Sequence, residues 1–422
     1  MQPGVFYFYT LFNKPFMSLP AGINITDYTY DLPADRIAQR PLDVRDASRL
    51  LLWRNGLIED RQFAGIDDLI PEDSLLVFND TKVVRARLMF AKPTGGLIEI
   101  FCLEPLTETD LQLAFSQRSC CRWNCLIGNL KKWKNDILVK PLDEKGSWLK
   151  AERKAGLGDG CFEIEFTWEP VSLSFSDILS AAGQVPLPPY ISRYPDDEDA
   201  IRYQTVYAQF EGSVAAPTAG LHFTREILER LRKHKCLMET VTLHVGLGTF
   251  RPVSVKDIRK HVMHTESIAV KLSTLVSLRD SLKGPVIAVG TTSARTIESL
   301  YWLGVMAKNI PGCDLRGVNQ WDPYESQGAG LPSPAESLNA LILNLETKGL
   351  NEYHGNTSLI IVPGYTFRFI TGLITNFHLP QSTLLLLIAA FAGDSWRKVY
   401  SHALSEHYRF LSYGDACMFL QK

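Results

Sequence analysis

Residues 285–300 read PVIAVGTTSARTIESL. The apolar run 286–289 predicts a buried strand, Gly290 interrupts it, three hydroxyl residues follow, and 292–303 reads as the helix after the strand. Strand followed by helix is the unit of an α/β domain. The same texture extends on both sides. Residues 224–235 predict a helix with Phe223, Ile227, Leu228 and Leu231 on one face and Arg225, Arg230, Arg232 and Lys233 elsewhere. Residues 241–245 predict a strand, and 382–392 predict a buried helix capped by Ser382 or Thr383. Near the start, 27–55 mixes prolines with paired charges and ends in a strand at 50–53.

Between 74 and 166 the texture is different. Short, often alternating runs (LLVF, GGLIEIFCLEPL, LQLAF, NDILVKPL, FEIEFTW) are punctuated by Gly95-Gly96, Asn135-Asp136 and Gly158-Asp159-Gly160. Evenly spaced short strands predict a small barrel or sandwich. The expected architecture is a discontinuous α/β domain (23–76 and 173–422) with a small antiparallel β-barrel (77–172) inserted into it, after an N-terminal extension (1–22). Residues 305–357 read as a loop-rich surface insertion with one helix near 336–345.

Composition limits the function classes. In 422 residues, 44 Lys plus Arg against 46 Asp plus Glu leave a net charge of −2, which excludes a polybasic nucleic-acid coat but not a local basic face. Hydrophobic residues at 45% supply an ordinary core and exclude wholesale disorder. Eight cysteines without a CxxC pair argue against a disulfide scaffold, so Cys120, Cys121 and Cys125 read as buried thiols in a cytoplasmic protein. The longest apolar run, 384–392, is too short for a membrane span. The N-terminus lacks a basic segment and a cleavage site, so it does not read as a signal peptide, and Met17 is an alternative initiator.

Several segments have the composition of a site. GSVAAPTAGLHFT (212–224) offers small residues before a helix, where backbone N–H groups can approach an anion; a plain tight loop is the other reading. TLHVGLGTFRPV (242–253) runs a strand into Gly246 and Gly248 but is no dinucleotide fingerprint, because Arg251 and Pro252 stand where Gly and a helix would. His244 in that strand is a core histidine or a base facing a cleft. HVMHTE (261–266) is a metal site, an acid/base cluster in which Glu266 orients His264, or a polar turn. Thr291, Thr292 and Ser293 cap a helix or hold an anion with Arg295 nearby. Thr375, Asn376 and His378, and then Arg409, Tyr413 and Asp415, lie against strongly apolar sequence and need partners. LKKWK (130–134) is either a phosphate-and-stacking surface or lysines beside a core tryptophan.

Seven strings in order carry a resemblance: DYTYDLPADRIAQRPLDVRDASRLL, VFNDTKVVRARL, PLPPYI with RYQTVYAQFEGSVAAPTAGLHFT, VTLHVGLGTFRPV with HVMHTE, AVGTTSARTIESL, LITNFHLPQSTLLLLIAAFAG and YRFLSYGDA. Together they resemble the S-adenosylmethionine:tRNA ribosyltransferase-isomerase family of queuosine biosynthesis, from residue 27 to about residue 420. The sequence departs from that pattern in its extension, in the 305–357 insert, and at Leu411 and Cys417, where the family usually shows Phe and Met.

The resemblance implies a two-domain enzyme with S-adenosylmethionine as cosubstrate and no metal. The implied acceptor is 7-aminomethyl-7-deazaguanine at the wobble position of tRNAs with a G-U-N anticodon, and the products are epoxyqueuosine-tRNA, adenine and methionine. It implies acid/base roles for His244, His264, Glu266 and Asp46. Thr218, Gly220, His222, Gly246, Gly248 and Thr249 would line the S-adenosylmethionine pocket, with Thr291, Thr292 and Arg295 at its carboxylate. Arg45, Arg49, Arg202, Tyr203, Asn376, His378 and Arg409 would serve the nucleobase or tRNA. A monomer with no membrane association is the expected state. Two other classes compete: a metal-dependent hydrolase built on His244, His261, His264 and Glu266, and a non-catalytic RNA-binding protein using the barrel and LKKWK.

Overall fold

The computed structural model describes residues 22–108, 111–134, 137–158, 160–246, 253–325 and 330–421. The expected extension therefore lies, apart from Gly22, outside the described residues.

The main sheet has ten strands. At its centre Leu237–Leu243, Leu75–Asn79, Val286–Val289 and Gly372–Asn376 lie side by side, all parallel. Ala416–Leu420 runs antiparallel to the last of these and is followed by Arg49–Arg54 and Leu57–Gln62. On the other flank stand Glu266–Lys271, Glu352–Thr357 and Gly317–Val318. Alternate residues of a strand face opposite sides. Val77, Val286, Ala288 and Leu373 accordingly enter one core, and Leu76, Phe78, Ile287, Val289 and Ile374 another. Both faces are covered, so the central strands read as continuous apolar runs rather than alternating ones.

The expected 241–245 strand spans Leu237–Leu243 instead, because its pairing with Leu75–Asn79 begins at Leu237, and His244 stands just past its end. The helix after Gly290 is longer than expected, Thr291–Asn309, and Thr383–Ala392 is capped by the Ser382 hydroxyl.

The region 305–357 is not a surface insertion. Two of its strands complete the main sheet, and its helix Pro334–Thr347 buries Leu338, Leu341, Ile342 and Leu345 in the main core. The helix lies so close to Thr291–Asn309 that a Cβ on Gly304 would come 2.1 Å from Ser337 Oγ and 2.2 Å from its carbonyl oxygen.

After Asn79 the chain leaves the main sheet and returns at Leu237. The excursion builds a second, fully antiparallel sheet of seven strands in the order Gly183–Gln184, Arg87–Ala91, Leu97–Pro105, Cys120–Gly128, Cys161–Glu169, Trp148–Gly158, Leu138–Pro141. It curls around its own core of Phe90, Ile100, Trp123, Phe166 and Trp168. Lys140, on one edge strand, donates to the carbonyls of Met89 (3.2 Å) and Ala182 (2.9 Å), drawing the two edges together without backbone closure among the described residues. The expected limit 77 cuts a strand, and 172 falls in a turn but separates a helix from the sheet it packs on. Leu75–Asn79 pairs wholly within the main sheet, and Phe175–Ala182 packs into the curled sheet's core. Trp133 of LKKWK is also in that core, 2% exposed, so it offers no ring to a base. Cys121 and Cys125 are buried thiols, but Cys120 is exposed.

Gly304→Ala should lower stability by about 1–3 kcal/mol through overpacking. Chemical denaturation would show it as a lower midpoint at unchanged slope.

Candidate active site

In parallel α/β sheets, ligands bind beyond the carboxyl ends of the strands. Here Asn79, Val245, Gly290 and Asn376 stand at or just past those ends. Asn79 ties three of them. Its Nδ2 donates to Leu243 O (3.0 Å) and Thr292 Oγ1 (3.3 Å), and its Oδ1 accepts from Leu243 N (3.1 Å) and Thr81 N (3.2 Å).

An open cleft lies over this edge. Thr218, Val245, Gly290, Thr291, Thr292, Asn376, His378 and Tyr203 line it, together with Tyr190, Ser382, Leu384 and Ser412. A smaller cleft adjoins it, sharing Thr291, Thr292 and Leu384 and adding His264, Arg295 and Met263. Where the two meet, the helix Thr291–Asn309 begins. Its first amides have no acceptor inside the helix, and its dipole favours an anion there.

The second cleft is electrostatically built. Glu266, at the start of its strand and fully buried, pairs with the Arg295 guanidinium and lies 3.1 Å from His264 Nε2. Burial alone would raise the Glu266 carboxyl, but Arg295 and His264 outweigh it and hold the group down at about 2. So weak a base does not collect a proton near neutrality; Glu266 orients His264 and Arg295. Arg295 Nε donates to Leu359 O (2.9 Å), while Nη2 is buried with no acceptor among the described residues.

His222 and His378 are buried and neutral. Desolvation pushes His222 down to about 4 and His378 to about 3. His378 is held by Thr375 Oγ1 at Nε2 (3.2 Å) and by the Tyr400 hydroxyl, which accepts from its backbone N–H (3.1 Å). His222 lies between Ser48 Oγ at Nδ1 (2.8 Å) and Asn376 Nδ2 at Nε2 (3.2 Å).

A third cleft, on the other side of His222, gathers Arg45, Arg202 and Arg409 with Ser48, Ser412 and Tyr413. Arg45 donates to the carbonyls of Leu221 (3.2 Å) and Ile201 (2.8 Å), and Arg202 to those of Asp43 (3.1 Å) and Leu42. Arg409 Nη1 is buried without an acceptor among the described residues.

The structure does not gather every expected residue. His244 opens into a separate cleft with Phe210, Ser267 and His354, its Nδ1 3.0 Å from Thr81 Oγ1. It therefore does not converge with His264 and Glu266, and the ligand set of the hydrolase alternative is not assembled. Among the described residues, the one metal-competent grouping is Asp67, Asp68 and His234, which lines none of these clefts and in which Asp67 is clamped by Arg230 (2.9 and 3.0 Å).

Asp46 also lines none of these clefts. Arg49 turns away, with its guanidinium 3.8 Å over the Tyr408 ring and 3.4 Å from Asp60. Gly220 serves packing, since a Cβ there would lie 2.0 Å from the Tyr207 hydroxyl. Gly246 stands beside His264, whereas Gly248 and Thr249 lie outside the described residues. Sequence reasoning missed Ser48, Asn79, Tyr190 and Ser412, although each lies in or next to a quoted motif.

Fold and site thus define an α/β enzyme with its clefts at the carboxyl edge of a parallel sheet, furnished for an elongated ligand with an anionic end. The profile of a family described as "Queuosine biosynthesis protein" matches residues 25–419, and the chain belongs to that family. The S-adenosylmethionine:tRNA ribosyltransferase-isomerase of Thiobacillus denitrificans is 38% identical over 404 residues, covering 95% of this chain and 98% of its own. The protein of the same name from Azoarcus is 37% identical over 399 residues, covering 94% and 97%. A solved S-adenosylmethionine tRNA ribosyltransferase from Thermotoga maritima is 29% identical and covers 93% of this chain and all of its own, with a TM-score of 0.45.

Two stability predictions follow from these charges. Arg295→Met leaves Glu266 buried without its main counter-charge and should cost about 3–5 kcal/mol; thermal unfolding should show Glu266→Leu/Arg295→Met recovering much of that loss. The second concerns acid. The unfolded chain protonates His222 and His378 below 6.5, but the native state does not until about 4 and 3, so stability falls as pH drops through that window. Glu266 adds a later loss, as pH falls from 4.5 towards about 2. Denaturation midpoints against pH should flatten above about pH 4.5 in a His222→Phe/His378→Phe variant.

Proposed function

We propose that the two adjoining clefts bind S-adenosylmethionine and that the chain transfers and isomerises its ribosyl group. The acceptor is the aminomethyl nitrogen of 7-aminomethyl-7-deazaguanine at the wobble position of tRNAs with a G-U-N anticodon. Adenine and methionine are released, and epoxyqueuosine remains in the tRNA. The observation that carries this reading is the continuity of the clefts over Thr291 and Thr292 in a chain that matches the family along 25–419.

In this reading the methionyl carboxylate meets Arg295 Nη2 and the first amides of the helix Thr291–Asn309. The adenosine occupies the larger cleft, against Thr218 and Asn376. His264 removes the proton beside the sulfonium, because it faces the junction and Glu266 orients its ring. His222 and His378 are held neutral and do not serve as acids near neutrality. Arg45, Arg202 and Arg409 form the cationic wall nearest the acceptor nucleotide.

The curled sheet is a domain inserted in the catalytic one, and the protein works as a cytoplasmic monomer. No described helix is long and apolar enough to cross a membrane. No step of this scheme uses a metal. With a net charge of −2, tRNA affinity rests on local cations and falls steeply with salt.

Chromatography of a reaction with S-adenosylmethionine and tRNA bearing 7-aminomethyl-7-deazaguanine should show adenine and methionine appearing together, and only with that tRNA. Bound tRNA with no adenine released would overturn the reading. His264→Ala should lower turnover by about 10²–10⁴-fold while S-adenosylmethionine still binds; unchanged turnover would remove His264 from the mechanism.

A further inference from the structure

Asn376 ends its strand with a side chain only 4% exposed, at the floor of the larger cleft. Its Nδ2 has two neighbours, His222 Nε2 at 3.2 Å and the Asp415 carbonyl oxygen at 3.5 Å. A backbone carbonyl only accepts, so the NH₂ end of the amide must be the end that faces it. That orientation makes His222 Nε2 an acceptor and places its proton on Nδ1, donating to Ser48 Oγ at 2.8 Å. The carbonyl end is left over. Asn376 Oδ1 is buried and has no partner among the described residues. A buried acceptor of this kind is costly unless a ligand completes it.

We infer that Asn376 Oδ1 accepts a hydrogen bond from an N–H group of a substrate, and that Ser48 and His222 are positioning residues that fix which end of the amide faces the cleft. This rests on the cleft being the ribosyl-transfer site. Two substrate groups share the required chemistry: the exocyclic amine of adenine and the aminomethyl nitrogen of the acceptor base. An acceptor oxygen suits both. It accepts from the adenine amine, the oxygen half of an amide's usual contact with that base, and it orients a neutral amine with its lone pair free for attack. A cationic side chain here would do neither. His222 lines the neighbouring cleft of Arg45, Arg202 and Arg409 and reaches a ligand in the larger cleft only through Asn376.

Steady-state kinetics of adenine release, with S-adenosylmethionine and modified tRNA varied separately, tests the inference. Asn376→Leu should raise the KM for one substrate about 10- to 100-fold. A rise for S-adenosylmethionine alone assigns the adenine amine, and a rise for tRNA alone assigns the aminomethyl group. His222→Phe should reproduce the same selective KM rise, and combined with Asn376→Leu it should add nothing further. Unchanged KM values in Asn376→Leu would overturn the inference while leaving ribosyl transfer standing, and so would a His222→Phe effect additive with it. Absence of adenine release by the unsubstituted chain would instead overturn the reaction itself.

Discussion

The amide of Asn79 fills all four of its hydrogen-bonding positions at the point where the central strand stops and the chain departs for the curled sheet. Beyond it, Leu243 has lost the neighbouring strand's backbone, and a buried strand end with open N–H and C=O groups is costly. Asn79 supplies both missing partners from a side chain and ties Thr292, in the first turn of the next helix, to the same point. The floor of the site is therefore held by one residue that carries no charge and needs no water. Remove it, and three elements that bound the clefts lose their common anchor.

Glu266 and Arg295 bury their charges as a pair, and His222 and His378, which have no carboxylate partner among the described residues, stay neutral. Among the donors and acceptors left over, Arg295 Nη2 in one cleft and Asn376 Oδ1 in the other are of opposite hydrogen-bonding character. A ligand spanning both must present an acceptor at one end and a donor at the other. That requirement suits a zwitterionic nucleoside better than a simple phosphate.

Much of the fold was legible in the sequence where local pattern and tertiary role agree. The strand 286–289 with its glycine and helix, and the capped helix at 383–392, are legible from local pattern and turn chemistry alone. The region 305–357 was not. Glu352–Thr357 reads EYHGNT, with no apolar alternation, and it becomes a strand only through pairing with Glu266–Lys271. LKKWK looks like a binding surface until the curled sheet closes over Trp133. In the site, the composition of HVMHTE marked the pairing of Glu266 with His264, but His244, from the preceding strand's end, opens into another cleft. Ser48 and Asn79 escaped because a polar residue that satisfies a distant backbone or ring looks, in sequence, like any turn residue.

The curled sheet separates two strands that are neighbours in the main sheet, Leu75–Asn79 and Leu237–Leu243. Bringing them together means closing a loop that contains everything from 80 to 236, and the entropy of closure grows with the length of free chain. The excursion need not be free chain when they meet. Its strands are mostly sequential antiparallel neighbours, a topology dominated by short-range contacts, which favour fast folding. Once formed, it is completed by Thr81–Val83 lying parallel to Phe210–Ser213, which sets the departing and returning ends of the chain side by side. The curled sheet thus also acts as a clasp: it turns the pairing of Leu75–Asn79 with Leu237–Leu243 from a long-range contact into one between chain ends already held together.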